Sequence, residues 1–239
     1  MQVEDICNNN SKNTPSDDIY AVFNKFIFSK DIKLIGKLLH RFNFFMKVKD
    51  LPGDIVEVGV FKGSGIATFS KFVEIFCTHS NKKIIGFDIF DSEDKQAILS
   101  KDDATDNKTM NLVYSKVNES ELSLESVTSR LDGMSIDKKY MLVKGDVEDT
   151  LPKFIAENKG FRASLIYVDV DLDRPTYNTL KYLWDRLLPG GYIVFDEYEY
   201  HKFSESTGVE RFLKEKNIKY TLESTNWFAP TAFMKKTEL

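Results

Sequence analysis

Two clusters of acidic residues, each directly after a short apolar run, constrain the fold of this chain more than any other feature. The first run is residues 163–168 and the second is residues 191–195. Both are rich in β-branched and aromatic residues and lack polar alternation, as is typical of central parallel strands covered on both faces. The clusters that follow them are residues 169–173 and the pair Asp196 and Glu197.

A crossover helix is predicted between the two runs. Residues 175–188 begin with a proline and carry leucines at helical spacing, and the sequence Pro189-Gly190-Gly191 is expected to end the helix. Strands joined in this way are parallel, so both clusters are expected at the carboxyl edge of the sheet, where open α/β folds bind ligands. Carboxylates that converge at one edge repel each other, which favours a divalent metal ion or another cation between them. The alternative is that these acids are solvated loop residues.

Length and composition exclude several classes of protein. With 239 residues, of which 42% are hydrophobic, the chain is long enough for one well-filled α/β domain. The net charge of −4 and the scattered lysines argue against a nucleic-acid-binding surface and favour a small-molecule ligand. The two cysteines, Cys7 and Cys77, give no disulfide framework, and no apolar stretch approaches the length of a membrane span. We therefore expect a cytoplasmic protein with neither a membrane nor a nucleic acid as partner.

The chain divides into three predicted parts. Residues 1–18 have the polar composition of a flexible tail, and residues 19–50 carry apolar side chains in a helical pattern. This helical segment either packs on the sheet or forms a lid over the substrate. Residues 51–239 alternate predicted strands and helices around a polar insertion at about 91–120. The insertion is either a partly helical segment that becomes ordered when substrate binds or a mobile surface loop.

The alternation predicts an α/β fold. Seven predicted strands form a Rossmann-like, doubly wound and mostly parallel sheet. The last two strands, near residues 219–223 and 227–234, are separated by a short turn and are expected to form a C-terminal antiparallel hairpin.

A glycine-rich loop follows the first predicted strand and opens the first helix of the sheet region. It runs from Glu57 through Gly59 and Gly63 to Gly65. Glycines at this position let backbone amides approach a ligand, and the helix N-terminus favours an anion. The spacing is G-x-x-x-G-x-G instead of the G-x-G-x-x-G of dinucleotide enzymes, which argues against a nicotinamide or flavin cofactor.

Two further acids follow the next strands. Asp88, at the end of the second strand, can accept hydrogen bonds from the hydroxyls of a ribose, and Asp146, after the third, can accept one from an adenine amino group. Each signal taken alone is weak, because an aspartate after a strand is often only a turn residue or a helix cap. The glycine loop and the two acids in order across successive strands are more specific.

This series resembles the class I S-adenosylmethionine-dependent methyltransferases. Within that class, the chain is similar to the macrocin O-methyltransferase family, which includes methyltransferases of macrolide and aminocoumarin sugars. The resemblance covers most of residues 51–215. It is carried by four segments: residues 52–63, 85–90, 145–152 and 169–198.

The resemblance implies S-adenosylmethionine and Mg²⁺ as cofactors. It implies Asp169, Asp196 and Glu197 as metal ligands and Asp171 as the base. The implied donor-binding residues lie in the glycine loop and after the next strands: Glu57, Gly59, Phe61, Lys62, Gly63, Ser64, Gly65, Asp88, Asp146 and Asp169.

Some residues near the predicted site depart from the family pattern or have two interpretations. The chain has Asp173-Arg174-Pro175 where the family usually has Tyr-Glu-Ser, and Asp196-Glu197 where the family has two aspartates. His201 is a second candidate base, although a single histidine in a polar loop is more often a surface residue.

The implied reaction is methyl transfer from S-adenosylmethionine to a hydroxyl of a sugar or sugar-containing small molecule, such as a nucleotide-linked sugar, by a homo-oligomeric enzyme. One alternative is a catechol-like diol as acceptor, which also presents adjacent oxygens. Another is a non-catalytic protein that keeps the cofactor pocket as a scaffold.

Overall fold

The computed structural model describes residues 18–91, 95–134, 136 and 139–237. Most of the predicted tail, residues 1–17 with Cys7, lies outside the described residues. The α-helices of the described residues are α1 Ile19–Ile27, α2 Ile32–Val48, α3 Ser64–Phe76, α4 Lys95–Leu99, α5 Ala104–Tyr114, α6 Leu124–Asp132, α7 Val147–Glu157, α8 Asp173–Leu183 and α9 Glu205–Glu215. The strands are β1 Asp54–Val58, β2 Ile84–Asp88, β3 Tyr140–Lys144, β4 Ala163–Val168, β5 Leu187–Phe195, β6 Glu223–Ser224 and β7 Ala232–Lys235.

One seven-stranded sheet organises the molecule, in the order β3-β2-β1-β4-β5-β7-β6. The first five strands in this order are parallel, and β7 pairs antiparallel with both β5 and β6. The predicted doubly wound, mostly parallel sheet with an antiparallel C-terminal hairpin is therefore confirmed. The chain moves outward from β1 to β3 and then returns to the other side of β1 with β4, so the strand order reverses between β1 and β4.

Helices cover both faces of the sheet, which explains the continuous apolar strands. Every residue of β4 is buried, and successive side chains face opposite layers. Leu165 and Tyr167 pack with α2, α3 and α6, whereas Ile166 and Val168 pack with α7, α8 and α9. A strand between two apolar layers is apolar at nearly every position, and the exception in β4, Ser164, accepts a hydrogen bond from Lys82.

The crossover between β4 and β5 differs from the prediction. Helix α8 ends at Leu183, and β5 already begins at Leu187, so Pro189-Gly190-Gly191 lies inside the strand. The pairing of β5 with β4 shifts register in this stretch, and the Gly190 N–H donates to the carbonyl of Lys236. The Pro-Gly-Gly sequence therefore forms an irregularity of a strand, which accommodates a proline without an N–H, and does not end the helix.

The C-terminal hairpin also differs in detail from the prediction. The hairpin strands are shorter, at Glu223–Ser224 and Ala232–Lys235, because the segment between them is held by turn hydrogen bonds such as that from the Thr225 N–H to the Thr231 carbonyl. The polar stretch at 91–120 contains α4 and α5.

The predicted helical segment at 19–50 contains α1 and α2. Helix α2 packs on the sheet through Phe44, Phe45 and Val48, whereas α1 has no buried residue. Within the described ranges, no helix is both long enough and apolar enough to cross a membrane.

Candidate functional site

The carboxyl edge of the sheet at the reversal between β1 and β4 brings the predicted site residues together. Val58, Val168 and Phe195 are paired across the last position of three adjacent strands. The next residues continue the ladder: the Asp169 N–H donates to the Val58 carbonyl over 2.8 Å, and the Asp196 N–H donates to the Val168 carbonyl over 3.0 Å. Ligands of doubly wound folds bind in the crevice at this position.

A cavity of about 580 Å³ opens at this edge. Its lining contains most of the predicted site residues: Glu57, Gly59, Phe61, Ser64, Asp88, Asp146, Asp169, Asp171, Asp196 and Glu197. Three predicted residues of the glycine loop, Lys62, Gly63 and Gly65, do not line it. The Lys62 side chain instead forms an ion pair with Glu121.

Lys37 of α2 lies between two of the predicted metal ligands. Its Nζ is 2.8 Å from Asp169 Oδ2 and 2.8 Å from Asp196 Oδ2. The other oxygen of Asp196 accepts a hydrogen bond from the Tyr167 hydroxyl over 2.8 Å. Burial and the charge of Asp169 raise the pKa of Asp196 to about 6, and Lys37 and the Tyr167 hydroxyl oppose this rise.

This arrangement does not fit a magnesium ion. Of the three predicted ligands, Asp169 and Asp196 converge on one point, and that point holds the Lys37 ammonium. In the part of the chain that the structure describes, no group of three or more His, Cys, Asp or Glu side chains is arranged to hold a metal ion. Burial and the charge of Asp196 raise the pKa of the Glu197 carboxyl to about 7.

A second cation of α2 reaches the acid of the glycine loop. Arg41 Nη2 lies 3.1 Å from Glu57 Oε1, and both side chains are buried. Burial raises the pKa of Glu57 to about 7, and the charge of Arg41 opposes this rise. Gly65 is required by the Glu57 carboxylate, because a Cβ at Gly65 would lie 1.6 Å from Glu57 Oε1.

Asp88 accepts backbone hydrogen bonds that hold the glycine loop in place. Its Oδ2 accepts hydrogen bonds from the N–H groups of Val60 and Phe61 over 2.7 and 2.8 Å, and its Oδ1 accepts one from Phe90 over 2.8 Å. Phe61 has a φ of 52°, in the left-handed region, so its N–H turns toward Asp88. Burial raises the pKa of Asp88, and the three N–H donors oppose this rise.

Asp146 is already engaged by protein groups. Its carboxylate caps α7 by accepting from the Glu148 N–H over 3.1 Å. It also pairs with Arg174 Nη1 at 2.8 Å and with Lys101 Nζ at 3.1 Å. Arg174 further bonds Asp102 over 2.9 Å, so it ties the end of β3 to the segment between α4 and α5.

Asp171 lies beside the acid pair in a constrained loop. Its φ of 65° is unusual for a residue with a side chain, and the Ser204 N–H donates to its carbonyl over 3.0 Å. Burial, together with Asp169, Glu197 and Asp196, raises the pKa of Asp171 well above its ordinary value. Glu205 lies beneath the same loop and is completely buried, and its Oε1 accepts from the Glu197 N–H over 3.0 Å.

The second candidate base, His201, does not reach the cavity. Its side chain is exposed, and its ring stacks on Tyr200 with 6.2 Å between the centroids. Tyr200 is also exposed, and the Tyr198 hydroxyl donates to Glu210 over 3.2 Å. Neither tyrosine lines the cavity.

The basic residues near the site were not predicted: Lys33, Lys37, Arg41 and Arg174 line the cavity, and Lys101 pairs with Asp146. A signal for two of them exists in the sequence. Lys37 and Arg41 are one helical turn apart and continue the stripe of Phe44, Phe45 and Val48 that packs on the sheet. Cations on the core-facing stripe of a helix need buried acidic partners.

A model of the macrocin-O-methyltransferase family, TylF, matches residues 37–236, which include every residue of the acid cluster together with Lys37 and Arg41 of α2. The chain belongs to the macrocin-O-methyltransferase family. The resemblance predicted from the sequence is thereby confirmed. Membership also confirms the predicted enzyme class, that of the S-adenosylmethionine-dependent O-methyltransferases.

Solved structures of similar fold include those of two other methyltransferases, CalS11 and NovP. Two structures of the calicheamicin methyltransferase CalS11, a TDP-rhamnose 3'-O-methyltransferase, are 22% and 23% identical to this chain, with TM-scores of 0.69 and 0.67. They cover 93% of this chain and 87% and 88% of CalS11. The O-methyltransferase NovP is 22% identical, with a TM-score of 0.66 over 84% of this chain and 79% of NovP.

A more distant O-methyltransferase from Bacillus cereus, in complex with SAH, is 14% identical. Its TM-score is 0.56, over 98% of this chain and 95% of that chain. These likenesses show a shared fold. A search of curated proteins gave no match.

Proposed function

We propose that this member of the macrocin-O-methyltransferase family transfers a methyl group from S-adenosylmethionine to a hydroxyl of a sugar, such as the sugar of a nucleotide-linked substrate. One observation carries the proposal. A single cavity is lined both by the glycine loop with Asp88 and by the acid cluster with Asp171. Donor and acceptor can therefore meet at one edge of the sheet, as the reaction requires.

The donor side of the cavity is assigned to the loop between β1 and α3. Gly59 has a φ of 93°, and a Cβ there would lie 1.8 Å from the Asp169 carbonyl, so only glycine allows the loop this close to β4. Asp88 accepts three N–H bonds, and a carboxylate has about four acceptor positions. The remaining position is available to a ribose hydroxyl. The SAH complex of the Bacillus cereus enzyme, which shares the fold, supports this donor.

The transfer step is assigned to Asp171. A lone pair of the acceptor oxygen forms the new bond to the methyl carbon, the carbon–sulfur bond breaks, and its electron pair neutralises the sulfonium. The hydroxyl proton passes to the Asp171 carboxylate, a general-base contribution of roughly 10²- to 10⁴-fold. Apolar residues of α2 and α5, among them Leu38 and Met110, line the same cavity and exclude water from the reacting groups.

The acceptor is proposed to be a sugar because the family is that of macrocin-O-methyltransferase and because CalS11, of the same fold, is a TDP-rhamnose 3'-O-methyltransferase. Mg²⁺ stays a prediction from the resemblance. The proposed methyl transfer uses no metal ion, because Lys37 occupies the point where Asp169 and Asp196 converge.

Methyl transfer to a panel of TDP-linked sugars and catechols tests the function. Transfer to a sugar supports the proposal, transfer to catechols alone contradicts the acceptor class, and binding of S-adenosylhomocysteine without transfer to any acceptor supports the scaffold alternative. Asp171→Asn is expected to retain calorimetric binding of S-adenosylhomocysteine and to lose at least 10²-fold in kcat. His201→Asn, whose ring lies outside the cavity lining, tests the rival base.

A homo-oligomer and a cytoplasmic location are also predictions from the sequence. Exposed apolar side chains on α1 and α2 support the first, with Ile19 80% exposed and Leu39 58% exposed. Size-exclusion chromatography with light scattering would test it.

A further inference from the structure

The Lys37 ammonium occupies the centre of the acid cluster. Its two distances of 2.8 Å to Asp169 Oδ2 and Asp196 Oδ2 are those of charge-assisted hydrogen bonds. The Asp196 side chain is 2% exposed and those of Lys37 and Asp169 are each 22% exposed, so all three are removed from most of the solvent. The lysine therefore neutralises carboxylates that would otherwise repel each other.

The position of Lys37 is fixed by the helix that carries it. Phe44, Phe45 and Val48 anchor α2 in the core, with at most 2% exposure. One turn before this anchor, Arg41 pairs with Glu57, and its Nη2 also lies 3.9 Å from Asp169 Oδ2. One further turn back, Lys37 reaches both carboxylates. An anchored helix therefore holds the two cations against the acid cluster.

We infer that Lys37 is the resident counter-cation of Asp169 and Asp196, and that a divalent metal ion binds these two carboxylates only when the Lys37 ammonium leaves. A metal ion that bridges Asp169 Oδ2 and Asp196 Oδ2 at about 2.0–2.6 Å from each would have to occupy the space between them that the Lys37 ammonium fills. It would also lie next to a fixed positive charge. Binding of lysine and of metal at this point is thus mutually exclusive.

The site formed by Asp169 and Asp196 therefore has two states. With Lys37 in place, the site carries an internal cation beside the acceptor side of the cavity. With Lys37 withdrawn, it offers two free carboxylates. The inference rests on the proposed function only in calling this the reaction site. Metal binding is measured without donor or acceptor, so a failure of the counter-cation role and a failure of the methyl-transfer function are seen in different experiments.

Titration of Mn²⁺, followed by the electron paramagnetic resonance signal of the free ion, tests the inference. Lys37→Met is expected to bind Mn²⁺ at least tenfold more tightly than the native protein, and Lys37→Arg, which keeps the charge, is expected to bind as weakly as the native protein. Lys47→Met is the matched control. Lys47 is an exposed lysine of the same helix, so this substitution removes the same charge at a position away from the acids.

The gain must depend on the acid pair. In Lys37→Met combined with Asp169→Asn, the added affinity is expected to disappear. Equal Mn²⁺ affinity in the native protein and Lys37→Met, whether strong or absent, would overturn the inference. Lys37→Gln serves as the second variant if Lys37→Met lacks the native circular dichroism spectrum.

Discussion

The guanidinium of Arg41 lies 3.1 Å from the carboxylate of Glu57, and the two side chains are only 8% and 1% exposed. Glu57 Oε2 and Arg41 Nε have no hydrogen-bond partner among the described residues, so the Glu57 carboxylate depends on this one ion pair. The pair joins α2 to β1 directly beneath the cavity. It therefore couples the position of the N-terminal helical segment to the loop assigned to the donor.

Arg41→Met is expected to destabilise the protein by about 3 kcal/mol, because it leaves a buried carboxyl without its cation. Urea unfolding at pH 7 measures the loss. The double variant Arg41→Met/Glu57→Gln is expected to recover most of the lost stability, since neither side chain at the two positions is then charged. A double variant as unstable as the single variant would show that packing of the arginine, and not its charge, is what matters.

Gly65→Ala is expected to cost roughly 1–3 kcal/mol by overpacking, since the new Cβ would lie 1.6 Å from Glu57 Oε1. It should also weaken S-adenosylhomocysteine binding, because displacement of Glu57 disturbs the loop that follows. Gly160→Ala is the matched control: no atom lies within 4 Å of its added Cβ. Equal thermal stability and donor affinity in the two variants would contradict this account of Gly65.

The fold and the acidic half of the site could be predicted because both depend on local patterns. A buried parallel strand such as β4 is a nearly continuous apolar run, and the acids that follow such strands meet at one edge. The basic half could not be predicted in this way. Lys37 meets acids 132 and 159 residues away in the chain, and a lysine in a helix is normally solvated.

The predicted role of Asp146 shows the same limit. An aspartate after β3 can serve a ligand, a helix cap or an ion pair, and the sequence around it does not separate these uses. In the structure, it caps α7 and pairs with Arg174, a residue of α8 that lies 28 positions later. The packing of α7 against α8 determines which of these roles Asp146 has, and a local sequence pattern does not contain this information.

Arg174→Met is expected to destabilise the protein by about 2–3 kcal/mol. It removes the cation shared by Asp102 and Asp146, whose side chains are only 2% and 4% exposed. Amide hydrogen exchange should also become faster in α4 and α5, which Arg174 ties to β3.

Arg211→Met provides the comparison for Arg174. Arg211 pairs with Asp173 over 3.0 Å at the surface, with 45% of its side chain exposed, so its loss is expected to cost less than about 1 kcal/mol. Guanidinium unfolding of both variants checks the difference. A larger loss for Arg211→Met than for Arg174→Met would contradict the structural role of the Arg174 bridge.

Glu205 gives a prediction about pH. Its carboxyl is fully buried, its Oε2 has no partner in the described structure, and burial together with the charges of Asp171 and Asp196 raises its pKa well above the ordinary value. The folded protein therefore holds this proton more tightly than the unfolded chain. The stabilisation that it provides is complete below the unfolded pKa of 4.5 and is lost as pH rises from there through the raised folded pKa.

Glu205→Gln keeps an acceptor for the Glu197 N–H and has no proton to lose. The free energy of unfolding of this variant, relative to the native protein, is therefore expected to increase as pH rises from about 5 to about 8, by at most about 1.4 kcal/mol per pH unit. Urea unfolding across this range measures the difference in unfolding free energy between the variant and the native protein, in which the titration of the other groups largely cancels. Glu210→Gln, in the same helix, controls for the loss of one carboxyl. A difference that stays constant across the range would mean that Glu205 is ionised in the folded protein, so that its negative charge adds to those of Asp171 and Asp196.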